Sequence, residues 1–310
     1  MPDFIFSARN IVNGQFGNDP DTTTHYLVIP DGGSGIDPKN EVDKASWVNA
    51  IITANESRED ILIFIHGYNN AECDVYNAHN NVKQGLKAAG YTGQVVSFDW
   101  PCADNVAVYL EDRHKAALTA MQLVNGGITV LAEQQDNSCT INVHILAHST
   151  GALVVREAFE DAQNANKLPT QDWLVSQLVF ISGDISANSM NLHSQCDAIY
   201  DHTTRVTNFQ NPYDKVLSIS NVKRIGFENR VGRVGIPDGA PPSCVNVNSG
   251  NYFQSIKENG GDTVAFSHSW YFDPKSNSEF MKDLCLIMQG DLDRNVFPTR
   301  QIIDGALILV

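Results

Sequence analysis

The sequence predicts an α/β fold, in which a mostly parallel twisted sheet is flanked by helices. Short β-branched and apolar runs alternate along the chain with segments of helical composition, a pattern typical of parallel sheets with crossover helices. The chain has 310 residues, of which 42% are hydrophobic and 9% aromatic. This length and composition suffice to bury a large core. Since no internal repeat or linker-like segment is found, we predict one domain over residues 1–310.

The predicted strands share an apolar, β-branched composition and end at turn residues. They are residues 4–12, 23–29, 61–65, 95–100, 141–147, 178–182, 204–209 and, as the last strand, 244–247. The predicted helices are residues 41–54, 78–89, 106–133, 152–163 and a tail from residue 279. Gly126 and Gly127 mark a weak point in the third helix. Two loops rich in glycine and proline are predicted at residues 30–40 and 221–243. A Gly/Asn-rich loop is predicted to lead to His268, and the apolar run 306–310 either closes the sheet edge or pairs with another chain.

Charge and composition exclude several classes of partner. The net charge is −15, with 36 acidic and 21 basic residues, which argues against nucleic acid and anionic membrane surfaces. No apolar run approaches the roughly 18 residues of a membrane span.

The first residues lack the basic and apolar regions of a signal peptide, so we expect a cytoplasmic protein. The six cysteines show no C-x-x-C pair, and we expect them to be reduced.

The segment around Ser149 carries the strongest functional signal. The predicted strand 141–147 ends at His148-Ser149-Thr150-Gly151, and a helix follows at once. A serine at such a sharp turn between strand and helix has its hydroxyl exposed at the end of the sheet. Small neighbouring residues let the strand and the helix approach each other closely. Ala147 and Gly151 are such neighbours. Ser149 is therefore the candidate nucleophile.

This segment resembles the nucleophile elbow of the α/β-hydrolases, with Ala147 where the pattern usually has its first glycine. The resemblance implies the α/β-hydrolase fold, a catalytic core over about residues 55–290, and catalytic groups in the chain order Ser, then Asp or Glu, then His. About twenty residues separate the strands 178–182 and 204–209. An independent cap domain needs roughly fifty, so we expect no large cap domain.

A serine nucleophile needs an imidazole within hydrogen-bond reach to take its proton. His268 follows the last predicted strand and lies after Ser149 and every carboxylate candidate in the chain. His193 and His202 come too early in this order. His268 is therefore the candidate base.

The acid that orients the base has two candidates. Asp214 lies in the loop after the strand 204–209, where the resemblance places the acid. Asp184 follows the preceding strand, where some members of the superfamily carry it. Its alternative role is that of a carboxylate capping a loop. We favour Asp214.

The resemblance also implies an oxyanion hole of two backbone N–H groups. Thr150 supplies one, at the start of the helix after the nucleophile, where the helix dipole favours negative charge. The turn His66-Gly67-Tyr68 follows the apolar strand 61–65 and resembles the HGX turn of the family. Its Tyr68 N–H is the second candidate donor.

Four further residues are candidates for the substrate pocket, although packing in the core is an alternative for each. They are His66, Trp100, His148 and Trp270. Tyr271 and Phe272 follow Trp270, and they too either line the substrate pocket or pack in the core. Asp99-Trp100-Pro101, together with Tyr109 and Asp112-Arg113, resembles a bacterial branch of the serine α/β-hydrolases. A salt bridge within a helix is the alternative for Asp112 and Arg113.

No pattern in the sequence predicts a metal or a cofactor. Residues 291–295 begin like a calcium loop, but Val296 replaces the glycine at position six and Ile302 the glutamate at position twelve. Zinc-ligand spacings, a phosphate-binding glycine loop and a dinucleotide fingerprint are missing from the sequence. We therefore expect neither metal nor cofactor.

Taken together, these residues predict a serine carboxylesterase that acts on short to medium acyl esters. An acyltransferase or thioesterase uses the same groups and stays an alternative, as does a binding protein that keeps the fold without catalysis. The serine disfavours the dehalogenase and epoxide hydrolase branches, which use a carboxylate as nucleophile. The expected partner is a small-molecule ester. The oligomeric state stays open, with a homodimer among the options.

Overall fold

A computed structural model describes residues 1–55, 59–68, 72–102, 109–132, 141–164, 173–222, 228–290 and 297–310. Eleven strands of this described part form one sheet. In chain order they are β1 (Asp3–Val12), β2 (Gln15–Ile29), β3 (Glu41–Val42), β4 (Ile61–Ile65), β5 (Gln94–Asp99), β6 (Val143–His148), β7 (Val175–Ile181), β8 (Thr203–Gln210), β9 (Cys244–Asn248), β10 (Arg300–Ile303) and β11 (Ala306–Leu309).

The sheet is parallel through its centre and antiparallel at both edges. Its strand order is β10-β11-β9-β8-β7-β6-β4-β5-β1-β2-β3. Neighbours from β11 to β1 run parallel, and the pairs β1/β2, β2/β3 and β10/β11 run antiparallel. The predicted mostly parallel sheet flanked by helices is confirmed. Parallel strands end on one edge, so the loops after β4, β5, β6, β7 and β8 gather there.

Helices connect the strands along the described part of the chain. They are α1 (Lys44–Ala54), α2 (Glu72–Ala88), α3 (Tyr109–Gln122), α4 (Thr129–Ala132), α5 (Gly151–Asn164), α6 (Asp197–Asp201), α7 (Lys215–Val222), α8 (Val231–Val234), α9 (Gly250–Ile256), α10 (Val264–Ser269) and α11 (Ser278–Gln289). Short 3-10 turns cover Pro38–Asn40, Ala187–Met190 and Trp270–Phe272. The first helix, α1, begins where the Asp43 carboxylate accepts the Ser46 N–H at 2.9 Å.

The central strand β4 is apolar throughout because both faces of the sheet are covered there. All five residues of β4 are buried. Ile61, Ile63 and Ile65 pack into one core cluster. Leu62 and Phe64 pack into a second cluster. An uninterrupted apolar run is what a parallel strand covered on two faces requires.

The weak point predicted at Gly126 and Gly127 is a π-helical segment, Leu123–Ile128, between α3 and α4. A Cβ atom at Gly127 would lie 2.3 Å from the ring of Phe6. The Tyr26 hydroxyl donates to the Gly126 carbonyl at 3.1 Å. The two glycines therefore let the first hairpin of the chain approach the helix closely.

The sequence prediction is wrong at the C-terminus, where β9 is not the last strand. After α11, β10 and β11 form a hairpin that turns at Asp304 and Gly305, with φ angles of 50° and 80°. An Asp-Gly pair between apolar residues favours this turn, and this signal was available in the sequence. β11 pairs with β9. Of the two alternatives for the run 306–310, the structure therefore shows the one in which this run extends the sheet of its own chain.

Other boundaries also differ from the prediction. β2 begins at Gln15 instead of residue 23, α2 at Glu72 instead of residue 78, and β7 at Val175 instead of residue 178. The Gly/Asn-rich loop predicted before His268 contains the helix α9.

The helix expected over residues 41–54 begins at Lys44, because Glu41 and Val42 pair with β2. His268 lies on α10 rather than in a loop, and the Thr263 hydroxyl caps this helix by accepting the Phe266 N–H at 3.0 Å. The predicted loop 221–243 contains the short helix α8.

Candidate active site

Ser149 lies at a sharp turn between β6 and α5 in a backbone conformation that non-glycine residues rarely adopt. Its φ angle is 55°, in the left-handed region. The Ser149 N–H donates to the Ile181 carbonyl at 3.1 Å, and its carbonyl accepts the Asp184 N–H at 2.9 Å. The end of β7 and the loop that follows it thus hold both backbone polar groups of the strained residue.

Close backbone contacts explain the small residues around this turn. A Cβ atom at Gly151 would lie 2.7 Å from the carbonyl oxygens of Ile65 and His66. A Cβ atom at Gly67 would lie 2.8 Å from Cβ of Ser149. The loop after β4 and the turn after β6 are therefore packed against each other with no space for a side chain at either glycine.

Three predicted residues from separate parts of the chain are linked by hydrogen bonds. Nε2 of His268 is 2.8 Å from Oγ of Ser149. Nδ1 of the same ring is 2.7 Å from Oδ2 of Asp214. Since a carboxylate only accepts, Nδ1 carries the proton, and Nε2 is left to accept the serine hydroxyl proton.

The loop that carries Asp214 is tied to the helix that carries His268. The Asp214 side chain is fully buried, and its Oδ1 accepts the Leu217 N–H at 2.9 Å. The Asn211 side-chain amide donates to the Ser267 carbonyl at 2.8 Å. Asn211 and Ser267 were not predicted, because nothing in a single sequence pairs a loop residue with a helix residue 56 positions away.

The surroundings of His268 act on its proton affinity in opposite directions. Burial lowers the pKa of His268, but the charge of Asp214 and its hydrogen bond outweigh burial, and the pKa is raised above 6.5. The charge of Asp184 adds to this increase. A carboxylate next to the ring stabilises the imidazolium that forms when a base accepts a proton.

Asp184, the alternative acid, occupies a different place. It is 4% exposed and its Oδ1 lies 3.4 Å from Nε of Arg230, which no motif in the sequence singles out. Its main chain pairs with Ser149 as described above. Asp214, not Asp184, makes the hydrogen bond to the ring of His268.

His148 lies against the base. Its ring centroid is 4.8 Å from that of His268, and its Nε2 is 3.1 Å from the His268 carbonyl oxygen. Burial lowers the pKa of His148 well below 6.5, and the charge on His268 lowers it further. A neutral His148 ring therefore donates from Nε2 to that carbonyl.

The other three pocket candidates are buried. His66 is 1% exposed and stacks on the fully buried Trp100, with ring centroids 5.5 Å apart. Trp270 is also fully buried and stacks on Tyr271 at 4.0 Å, inside the second core cluster. Phe272 packs on the edge of His148 at 4.9 Å.

The two candidate oxyanion donors flank the nucleophile. Thr150 follows it directly, at the start of α5. Tyr68 follows Gly67, which packs on Ser149.

Several predictions concern residues outside the described part of the chain. These are the calcium-like segment 291–295 and the side chains of Tyr109, Asp112 and Arg113. Within the described residues, no cluster of three or more His, Cys, Asp or Glu side chains is arranged to hold a metal ion. No helix among the described residues is both long and apolar enough to cross a membrane.

The strand order and the turn at Ser149 define an α/β-hydrolase fold. The chain belongs to the family described as alpha/beta hydrolase of unknown function (DUF900), which matches residues 40–246. Ser149 and Asp214 lie within this match and His268 lies outside it. A search of the curated proteins by sequence found no match. Among solved structures, an esterase from Pyrobaculum calidifontis is similar, with 10% identity, a TM-score of 0.39, and coverage of 76% of this chain and 77% of that chain.

Proposed function

We propose that this protein is a serine hydrolase that cleaves carboxylic esters with short to medium acyl groups. The observation that carries the proposal is the continuous chain of hydrogen bonds from Ser149 through His268 to Asp214. Nucleophile, base and orienting acid in this geometry are the set that acyl transfer through a serine requires.

In the first step His268 takes the hydroxyl proton at Nε2 while Oγ of Ser149 attacks the ester carbonyl carbon. Asp214 holds the ring and stabilises its positive charge. The tetrahedral intermediate then collapses, and His268 returns the proton to the leaving alcohol. Water, deprotonated by the same ring, cleaves the acyl-enzyme and releases the carboxylic acid.

The negative charge on the tetrahedral intermediate requires hydrogen-bond donors. We assign these to the N–H groups of Thr150 and Tyr68, which flank Ser149 on α5 and on the loop after β4. Removing one such donor typically costs on the order of 3 kcal/mol of transition-state stabilisation.

Labelling with a fluorophosphonate probe tests the nucleophile. We expect one equivalent of label per chain, bound to Ser149, and loss of both labelling and turnover of p-nitrophenyl butyrate in Ser149→Ala. Turnover or labelling that persists in this variant would refute the assignment.

A matched control exists within the same chain. Oγ of Ser97 lies 2.7 Å from Nδ1 of His79, whose Nε2 lies 3.3 Å from Oδ1 of Asp3. The residue types are those of the proposed site, but Ser97 is fully buried inside the regular strand β5. We expect Ser97→Ala to be labelled like the wild type.

The acyl preference is a separate part of the proposal. The connection between β7 and β8 carries only a 3-10 turn and the five-residue helix α6, which is too little to form a lid domain. We expect faster turnover of soluble p-nitrophenyl butyrate than of the palmitate ester. A clear preference for palmitate would contradict this expectation.

A further inference from the structure

A buried ion pair links the first strand of the chain to β5. Arg9 and Asp99 are both fully buried. Nε of Arg9 lies 2.8 Å from Oδ1 and 3.0 Å from Oδ2 of Asp99, and the Ser7 hydroxyl donates to Oδ2 at 2.7 Å. Burial raises the pKa of Asp99, but the charge of Arg9 and the contacts with His66 outweigh it and lower the pKa to about 2. The carboxylate is therefore ionised at neutral pH.

Stability alone is a weak reason for such a pair. Removing two charges from water has a large desolvation penalty, and apolar replacements are often neutral or stabilising. The carboxylate of Asp99 also contacts a residue beside the candidate active site. Its Oδ1 lies 3.4 Å from Nε2 of His66, in the loop after β4.

His66 is held on several sides by the residues after β5. Trp100 stacks on its ring, and the Trp100 indole N–H donates to the His66 carbonyl at 2.9 Å. The Trp100 backbone N–H lies 3.1 Å from Nε2, which suits a neutral ring. Burial lowers the pKa of His66, but Asp99 and Cys102 outweigh it and raise the pKa to about 9, which favours the charged ring. Nδ1 carries a proton in either state.

That Nδ1 proton is donated to the Gly67 carbonyl, at 2.7 Å. The Gly67 carbonyl and the Tyr68 N–H belong to one trans peptide, so they point in opposite directions. Fixing the carbonyl on His66 therefore fixes the direction of the Tyr68 N–H. This peptide lies next to the nucleophile, since Gly67 packs on Ser149.

We propose that Arg9 and Asp99 are positioning residues for the oxyanion hole, acting through His66 on the Gly67–Tyr68 peptide. The inference rests on the proposed function, in which the Tyr68 N–H stabilises the intermediate. Arg9 lies outside the family match at residues 40–246. The N-terminal hairpin thus takes part in the active site without touching the substrate.

The chain contains a matched control pair at the other edge of the sheet. Asp283 and Arg300 have fully buried side chains. Nε of Arg300 lies 2.8 Å from Oδ2 of Asp283, and the Thr299 hydroxyl donates to the same oxygen at 2.6 Å. This pair reproduces the burial and bonding of Arg9, Asp99 and Ser7, but on α11 and β10.

The test compares two double variants, Arg9→Met/Asp99→Leu and Arg300→Met/Asp283→Leu. A trifluoromethyl ketone reports directly on the oxyanion hole. Its carbonyl carbon bonds to Oγ of Ser149, the hydroxyl proton moves to His268, and the former carbonyl oxygen becomes an anion. For the first variant we expect kcat/KM to fall and the inhibition constant to rise by a similar factor, between about 10- and 100-fold, below the loss from removing a donor. The change in KM should stay within twofold.

The control variant should keep kcat and the inhibition constant within twofold of the wild type. Unchanged values in a folded Arg9→Met/Asp99→Leu protein would overturn the proposal. An equal loss in the control variant would also overturn it, because the effect would then be general. If the first variant does not fold, Ser7→Ala and its counterpart Thr299→Val provide the same comparison, with an expected loss of about threefold in Ser7→Ala only.

An NMR measurement separates this inference from the proposed function. We expect a slowly exchanging Nδ1–H signal from His66 in the wild type, and exchange at least tenfold faster in Arg9→Met/Asp99→Leu. If the wild type and all variants lack esterase activity but the exchange rates differ as expected, the proposed function is refuted and the coupling of Arg9 and Asp99 to His66 stands. Unchanged exchange would refute the link even where Ser149 is shown to be the nucleophile.

Discussion

His268 sets the pH dependence of the proposed reaction, because an imidazole accepts the Ser149 proton only when it is neutral. Its pKa is raised above 6.5 by Asp214 against the effect of burial. We therefore expect kcat/KM to fall as the pH drops through this raised pKa and to level off above it. In Asp214→Asn the acid limb should move to lower pH, and the plateau should fall on the order of 10⁴-fold.

Asp184→Asn is the comparison for this prediction. Asp184 also raises the pKa of His268 through its charge, so the acid limb should move slightly in the same direction. Since it makes no hydrogen bond to the ring among the contacts described above, the plateau should fall less than tenfold. A larger loss in Asp184→Asn than in Asp214→Asn, read from the two pH–rate profiles, would exchange the roles of the two carboxylates.

Gly151 has a backbone requirement that a single methyl group should reveal. In Gly151→Ala the new Cβ would lie 2.7 Å from the carbonyl oxygens of Ile65, at the end of β4, and of His66, which follows it. We expect the free energy of unfolding to fall by about 1–3 kcal/mol, as is usual for overpacking. Gly35→Ala is the control, since no atom lies within 4 Å of its Cβ position, and urea unfolding should show little change there.

At the scale of elements, the six-residue helix α10 holds the base. Its only described side-chain cap is the Thr263 hydroxyl on the Phe266 N–H. Thr263→Ala should lower stability by about 1 kcal/mol and reduce kcat severalfold, because the ring of His268 loses its fixed support. Thr263→Ser should restore both values.

Asp43→Ala is the matched control, because Asp43 caps α1 in the same way. Asp43→Ala should lower the melting temperature by about as much as Thr263→Ala does, but it should leave kcat unchanged. If both variants reduce kcat equally, the cap of α10 has no particular role in positioning His268.

Elements with clear apolar patterns were predictable from the sequence, and short capped helices were not. β4 has the predicted bounds, since an apolar run of only five residues is too short for a buried helix and fits a strand covered on both faces. The helix around His268 was missed, because six residues with one capping threonine give too little periodicity to detect. The last hairpin was not predicted, although the pair Asp304-Gly305 is a hairpin signal. The apolar run after this pair was predicted to be the end of the C-terminal tail.

At the scale of the whole molecule, one sheet carries all the elements that position the candidate site. The resemblance to the α/β-hydrolases implied the chain order of Ser149, Asp214 and His268. Their positions after strands agreed with it, since parallel strands share one edge. The partners Arg9 and Asp99 were not, because a charged residue in a strand gives no sign of the residue it meets 90 positions away. The continuity of the sheet supports our proposal that residues 1–310 form one domain.

The first hairpin is joined to the rest of the molecule by a second buried carboxylate, Asp3. Its Oδ2 accepts the Tyr76 hydroxyl at 2.8 Å, and its Oδ1 contacts His79 at 3.3 Å and the ammonium group of Lys83. Burial raises the pKa of Asp3, but these hydrogen bonds and charges outweigh it and hold the pKa well below 3.8. The ionised carboxylate therefore connects β1 with α2.

A lowered pKa in the folded state means that ionisation stabilises the fold above the unfolded value of about 3.9, and that this stabilisation is lost as the pH falls through the folded value. Asp3→Asn should lower the free energy of unfolding by about 2 kcal/mol at pH 7, as is typical for hydrogen bonds to a charged group. In urea unfolding, the difference in free energy between Asp3→Asn and the wild type should stay constant between about pH 5 and pH 7, because Asp3 is ionised there in both the folded and the unfolded wild type. The difference should shrink below about pH 4. Asp37→Asn, which removes an exposed carboxylate 2.7 Å from Lys39, should change stability little at any pH. An equal loss in Asp3→Asn at neutral and at acid pH would assign the effect to packing, because ionisation of Asp3 could then contribute nothing to it.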